Sequence, residues 1–176
     1  MILFETERLI IKRLGIDDRK HFAELFTDPR VLEPIPQKAF TENQITERFN
    51  KSLNFELSDL GTQKCACGIY EKGEIEMIGL ALFLLNGDNE NELGYRFRAD
   101  YWGKGYGTET TKGMLEFYFN VMKTDIVTAD VNIANLASVK ILDKFMTIVK
   151  EFFNERDNCI DRQYELKKKN WLEQRT

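Results

Sequence analysis

The stretch ELGYRFRADYWGKGYGTETTKGMLEFYFN, residues 92–120, opens with the period of a strand and closes with that of a helix. Leu93, Tyr95 and Phe97 alternate with Glu92, Gly94, Arg96 and Arg98, the two-residue repeat of a half-buried strand. Further on, Met114, Leu115, Tyr118 and Val121 recur at i, i+1, i+4 and i+7, and the hydroxyls and carboxylate of residues 108–111 suit a first helical turn. Between them, Gly103, Gly105 and Gly107 alternate with Lys104 and Tyr106. Without a Cβ, such a run lets successive backbone N–H groups turn to one side into a concave nest, and the helix N-terminus adds unpaired donors and the positive end of its dipole. The spacing predicts a cradle for phosphate or pyrophosphate.

Two familiar phosphate motifs do not match. Lys104 is followed by Gly105, so the Ser or Thr that holds magnesium in a Walker loop is missing. Thr108 stands where a dinucleotide fingerprint needs its third glycine, and the preceding strand alternates where a parallel one would be apolar throughout. Strand, Trp102 to Glu109 and helix together resemble the acetyl-CoA loop of the GNAT N-acetyltransferases. The nearest branch is the one resembling the ribosomal-protein N-terminal acetyltransferases, matched by Gly94-Tyr95, by Trp-Gly-Lys-Gly-Tyr-Gly-Thr-Glu at 102–109, by Thr-x-Arg-Leu at 6–9 and by Asn135-x-x-Ser138.

The resemblance covers about residues 6–166 and implies one α/β domain over 1–176: a mostly antiparallel central sheet of about seven strands, flanked by helices on both faces. It implies acetyl-CoA as cosubstrate, without a metal. The pyrophosphate then lies on the loop of Trp102, Gly103, Lys104, Gly105, Tyr106, Gly107 and Thr108, and the thioester arm beside main-chain groups of Phe97 and Arg98. Asn135 and Ser138 lie next to the pantetheine and the thiol, with Ser138 protonating the departing thiolate. The acceptor is a primary amine, on a peptide N-terminus or a small molecule, attacking directly in a ternary complex. Glu92 is the candidate base and Glu155 the weaker one. The residues by themselves leave other roles open. Asn135 suits a helix N-cap, Ser138 a bond to a carbonyl one turn back, and Glu92 an ion pair with Arg96 on the same strand face. A CoA- or nucleotide-binding module of the same fold, without transfer, and an NAD-linked oxidoreductase are the competing functions.

Composition bounds the rest. A chain of 176 residues suits one core. A formal charge of −4 and a pI near 5.2 argue against a nucleic-acid partner, the only compact basic run being Lys167-Lys168-Lys169, read as a solvated strand end. No stretch reaches membrane-spanning length, MILFETERL shows no leader pattern, and three cysteines lack a disulfide framework spacing, so the expectation is a cytoplasmic monomer or homodimer with no membrane partner. Cys65 and Cys67 read as small buried apolar groups, and His21 as a solvated side chain.

In chain order, residues 6–14 read as a first strand, and Asp17 or Asp18 caps a helix with Phe22, Leu25 and Phe26 on one face. Pro34 and Pro36 stiffen a connection to a second helix, announced by the capping box of residues 41–44 and carrying Ile45, Phe49 and Leu53. Residues 63–70, 75–85 and 92–98 form an antiparallel meander. A strand at 125–131, a helix running to Phe145 and a hairpin of 148–153 with 162–166 complete the chain. Relatives of this type usually carry Leu-Gly-Phe after Lys144, where this chain has Phe145-Met146-Thr147, which puts the local backbone path in question.

Overall fold

The computed structural model describes residues 1–35 and 37–173. Pro36, expected to stiffen the connection before the second helix, lies outside the described residues. The strands are β1 (Ile2–Glu5), β2 (Leu9–Lys12), β3 (Cys65–Glu71), β4 (Met77–Leu85), β5 (Asn91–Phe97), β6 (Ile126–Asn132), β7 (Thr147–Asn154) and β8 (Cys159–Lys167). They form a single eight-stranded sheet in the order β1-β2-β3-β4-β5-β6-β8-β7, antiparallel throughout except where β5 meets β6. The helices are α1 (Arg19–Thr27), α2 (Pro29–Leu32), α3 (Glu42–Leu53), α4 (Tyr106–Asn120), α5 (Leu136–Leu142) and α6 (Lys168–Glu173).

The expected meander is β3-β4-β5, and the chain returns through α4 to lay β6 parallel to β5, as a parallel neighbour requires a crossover. Alternation on β5 divides two cores. Leu93 and Phe97 pack with Met114, Leu115, Tyr118 and Phe119 of α4 and with Val139 and Leu142 of α5. On the other face, Phe22, Leu25 and Phe26 of α1 meet Ile45 and Phe49 of α3 over Tyr70, Met77 and Leu80. The Thr41–Gln44 capping box forms as read, its side chains exchanging bonds with each other's backbone. Cys65 and Cys67 are buried on one face of β3, and burial pushes both thiols up.

Several local readings differ from the structure. The strand expected over 6–14 is shorter, β2 at Leu9–Lys12, and is preceded by a separate strand, β1, because residues 6–8 turn to grip α4, which makes eight strands among the described residues. Asp18 stands at the α1 N-cap but spends its carboxylate on the Gly15 N–H at 2.7 Å and the Tyr70 hydroxyl at 2.6 Å. His21 is largely covered, with Nε2 at 3.6 Å from Glu76. Val121 is exposed just past α4, whose apolar face is completed by Phe117 and Phe119. The helix expected to reach Phe145 stops at Leu142, where Phe145 and Met146 N–H groups both close on the Leu142 carbonyl. No residue from 143 to 147 has a positive φ, so the absent glycine leaves no strain there. Lys168 and Lys169 begin α6, whose Trp171 is buried against Phe119.

The grip on α4 centres on Glu109. Its Oε1 accepts from the Thr6 hydroxyl at 2.6 Å and the Arg8 N–H at 2.7 Å, while Oε2 pairs with the Arg8 guanidinium at 2.7 Å. Arg8 also donates to the Lys104 carbonyl at 3.0 Å and lies over the Tyr106 ring. Burial alone would push the Glu109 carboxyl up, but these bonds outweigh it and hold it below its ordinary value. A depressed carboxylate contributes stability above its unfolded pKa and loses it as pH falls through the folded one. Glu109→Gln should therefore cost about 1–3 kcal/mol at pH 7, with the difference from wild type shrinking below about pH 4 in thermal denaturation.

Candidate active site

The sheet opens beside its central strand. β5 pairs with β4 through seven residue pairs, from Gly79↔Phe97 to Leu85↔Asn91, but with β6 only at Glu92↔Thr128. Beyond that bridge β6 follows β8 as far as Asn132↔Asp161. The Arg98 N–H donates to the Ile78 carbonyl at 3.0 Å. Since main-chain groups alternate sides along a strand, residues 92, 94, 96 and 98 address β4, whereas the N–H groups of Tyr95 and Phe97 point into the opening. The Phe97 carbonyl on that side accepts from the Trp102 indole N–H at 3.0 Å. Of the two residues expected to offer main-chain groups to an arm, Phe97 has its N–H free and Arg98 has already spent its own on β4.

At the mouth of this wedge lies the glycine loop. Among the described residues, the backbone N–H groups of Gly103, Lys104, Gly105, Tyr106, Gly107 and Thr108 have no partner within the protein, the first intrahelical bond being Glu109 N–H to the Gly105 carbonyl. Gly105 holds φ +82 at the N-cap, a left-handed conformation that strains any residue with a Cβ. Gly107 serves a different end: a Cβ there would stand 2.8 Å from Ile141 and 3.4 Å from Tyr95, so its bareness lets α4 approach α5 and β5 closely. The loop is held from outside. Arg98 is paired with Glu24 and Glu76, the Tyr106 hydroxyl bonds Glu71, and the Lys104 ammonium sits over the Tyr101 ring.

On the helix side of the wedge, the Asn135 side chain caps α5 by accepting from the Ser138 N–H at 3.2 Å, as the local pattern allowed. Ser138 is half-buried, and the buried residues of α5 are Val139 and Leu142. The Ser138 and Thr111 hydroxyls lie beside the Tyr95 hydroxyl. That hydroxyl is buried without a hydrogen bond of good geometry, and burial pushes its pKa up. A buried phenol without a partner is costly, and this one lies between Ser138 of α5 and Thr111 of α4. Sequence reasoning used Tyr95 only as part of a motif; no periodicity marks a hydroxyl as orphaned.

Glu92 lies on the opposite face, at the closed end of the wedge. It makes no ion pair with Arg96, contrary to one of the readings of their shared face; Arg96 donates to the Leu25 carbonyl and to Gln37, each at 3.0 Å. Burial first, then the charge of Asp130 and more weakly that of Asp161, push the Glu92 carboxyl up to about 7, against the opposing pull of Lys64 and Arg156. Glu155 is exposed in the β7–β8 turn. A carboxyl pushed up to about 7 at the closed end of the wedge has the proton affinity of a general base, and the cradle and wedge together suit a phosphate-bearing ligand with an extended arm.

Arrangement and sequence agree with a family. A model described as an acetyltransferase (GNAT) domain matches residues 8–145, well over half the chain, and the chain belongs to that family. It is 28% identical over 141 residues to the N-acetyltransferase p20 of Bacillus licheniformis, itself named as uncharacterized, with 78% of each chain covered. Among solved structures, a GNAT-family acetyltransferase from Bacillus anthracis superposes with a TM-score of 0.80 at 23% identity, covering 96% of this chain and 99% of that one. The ribosomal L7/L12 α-N-protein acetyltransferase RimL, solved in complex with coenzyme A, superposes with a TM-score of 0.76 at 13% identity, covering 95% and 98%.

The raised Glu92 pKa has a sign in stability. The folded state holds the proton more tightly than the unfolded one, so a penalty builds between the unfolded value near 4.5 and the folded value near 7 and is fully present above it. Glu92→Gln should raise Tm by roughly 5–14 °C at pH 8 and leave it unchanged below about pH 4. A pH-independent difference would contradict the assignment.

Proposed function

We propose that the protein is an N-acetyltransferase that moves an acetyl group from acetyl-CoA to a primary amine, on a peptide N-terminus or a small molecule, by direct attack in a ternary complex. The observation that carries this reading is the run of six unpartnered N–H groups, 103–108, opening onto the unpaired edge of β5. A RimL structure of the same fold was solved with coenzyme A, which supports the same ligand here.

When bound, acetyl-CoA supplies the acetyl group as a thioester, with free thiolate as leaving group. The N–H groups of 103–108 hold the pyrophosphate, joined by the dipole of the fifteen-residue α4. From this mouth back to the bridge at Glu92, the β5 edge offers the N–H groups of Phe97 and Tyr95 in turn. The four residue steps from Phe97 to Leu93 span about 13 Å, the run available to an extended arm. Either N–H, aimed at the acyl oxygen, stabilises the negative charge that develops there. Glu92 takes the proton that the incoming ammonium must lose before its nitrogen bonds the acyl carbon. As the carbon–sulfur bond breaks, Ser138 gives a proton to the sulfur and takes up, directly or through the neighbouring Tyr95 hydroxyl, the second proton that the nitrogen sheds as the amide forms.

Three measurements test this. Gly105→Val, which strains the left-handed N-cap, should weaken acetyl-CoA binding about 10–100-fold by calorimetry in a variant that still folds; unchanged affinity removes the cradle. Ser138→Ala should lower kcat by at most about 10²-fold with little change in acetyl-CoA affinity. Because Glu92 is protonated below about pH 7, Glu92→Gln should depress kcat/KM most between that pH and the acceptor's own amine pKa. Acetyl-CoA binding without release of free thiol across a panel of amines would instead identify a binding module.

A further inference from the structure

Among the described residues, Arg96 is a cation without a counter-ion. Its side chain leaves β5 on the same face as Glu92 and is mostly buried, yet among the described residues no carboxylate lies within ion-pair distance of it. Burial, and then the charge of Arg48, lower its pKa to about 10. Two of its five N–H donors are engaged: Nη1 on the Leu25 carbonyl and Nη2 on Gln37 Oε1. The first bond has a structural cause. Leu25 lies in the last turn of α1, and the residue four positions on is Pro29, which has no N–H to offer its carbonyl. A neutral donor would satisfy that carbonyl, so capping α1 does not explain a buried full charge.

The guanidinium is also held in position. It lies 4.6 Å from the centre of the Phe26 ring, Phe26 stacks on Phe40 at 4.8 Å and 9°, and Arg48 lies 4.6 Å from the Phe40 ring. Its second partner, Gln37, is a neutral amide on an irregular connection between α2 and α3, and the Gln37 Nε2 is itself buried with no acceptor. An unsatisfied amide N–H and an uncompensated guanidinium thus stand side by side, and both are met by one oxyanion. The location is also apt. Between Glu92 and Arg96 the only intervening residue on that strand face is Gly94, a bare position bordered by Leu82 and Leu84 of β4, where a Cβ would stand 3.4–3.6 Å from their side chains, and each two-residue step along the strand is about 7 Å.

Resting on the acetyl-transfer reading, we propose that Arg96 and Gln37 form an oxyanion subsite for the acceptor, whose carboxylate or phosphate displaces the Gln37 amide oxygen from the guanidinium. The acceptor is then a primary amine carrying an oxyanion one to two residue lengths away, as in a short peptide with a free C-terminus. Its amine lies over Gly94 towards Glu92, and its anion lies on Arg96.

The test uses three peptides of matched amine: alanyl-alanine, alanyl-alanine amide and alanyl-phosphoserine amide. Wild-type protein should favour one or both anionic peptides over the neutral amide by roughly 10–100-fold in kcat/KM, the carboxylate and phosphate arms telling the two sources apart. Arg96→Met should abolish the preference while leaving turnover of the neutral amide. Because Arg96→Met also uncaps α1, Gln37→Glu provides the second variant: it keeps the guanidinium and its bond to Leu25, supplies the missing carboxylate within the chain, and should abolish the preference equally. No preference in wild type, or a preference surviving in either variant, overturns the proposal. Calorimetric binding of the same peptides to the protein, read without turnover, separates this outcome from a failure of acetyl transfer: discrimination between acid and amide belongs to Arg96 whether or not thiol is released.

Discussion

A buried backbone N–H or carbonyl without a partner is expensive, and the chain accepts that expense along one edge. β5 is fully paired to β4 and then released by β6 after the single bridge at Glu92↔Thr128. Everything near the site follows from this parting. α4 must start where β5 ends, so its N-terminal donors crown the opening. α5, packed on α4 across Gly107 and Ile141, sets Ser138 beside Tyr95 on one side of the gap. α1 and the connection before α3 wall the other side, where Glu92 and Arg96 stand. The sheet thereby puts the Ser138–Tyr95 pair on one face and Glu92 with Arg96 on the other.

The opening is held from a distance. Thr6 and Arg8 reach Glu109 and the Lys104 carbonyl, so a turn near the beginning of the chain fixes a loop about a hundred residues later. This gives the Thr-x-Arg phrase a physical meaning: its hydroxyl, amide and guanidinium saturate one carboxylate at the first turn of α4. On the remaining flank, Arg98 bridges α1 and the β3–β4 connection through Glu24 and Glu76. A nest of free N–H groups needs such bracing, because the loop gains nothing from its own hydrogen bonds until a ligand arrives.

What was legible in the residues was what local chemistry decides. The alternation of 92–98, the glycines at 103, 105 and 107, the capping box at 41–44 and the last hairpin each became the element they suggested. What was not legible depends on partners far off in sequence. Strand parting is a property of β6 choosing β8, which no periodicity encodes. The turn that parts β1 from β2 follows from Glu109, the orphaned Tyr95 hydroxyl from how α4 and α5 pack, and the bare charge of Arg96 from which of the described groups fail to approach it. Gly107, read from the sequence as part of the nest, has a second demand that spacing does not encode, since its missing Cβ makes room for Ile141 and Tyr95.

Residue-resolved amide hydrogen exchange, with and without coenzyme A, tests the account most directly, because the strand imposes an alternating signature. If the thioester arm lies along the free edge of β5, Tyr95 and Phe97 gain protection together with residues 103–108, whereas Gly94 and Arg96, already bonded to β4, do not change. Protection confined to the loop, or absent from Tyr95 and Phe97, would contradict it.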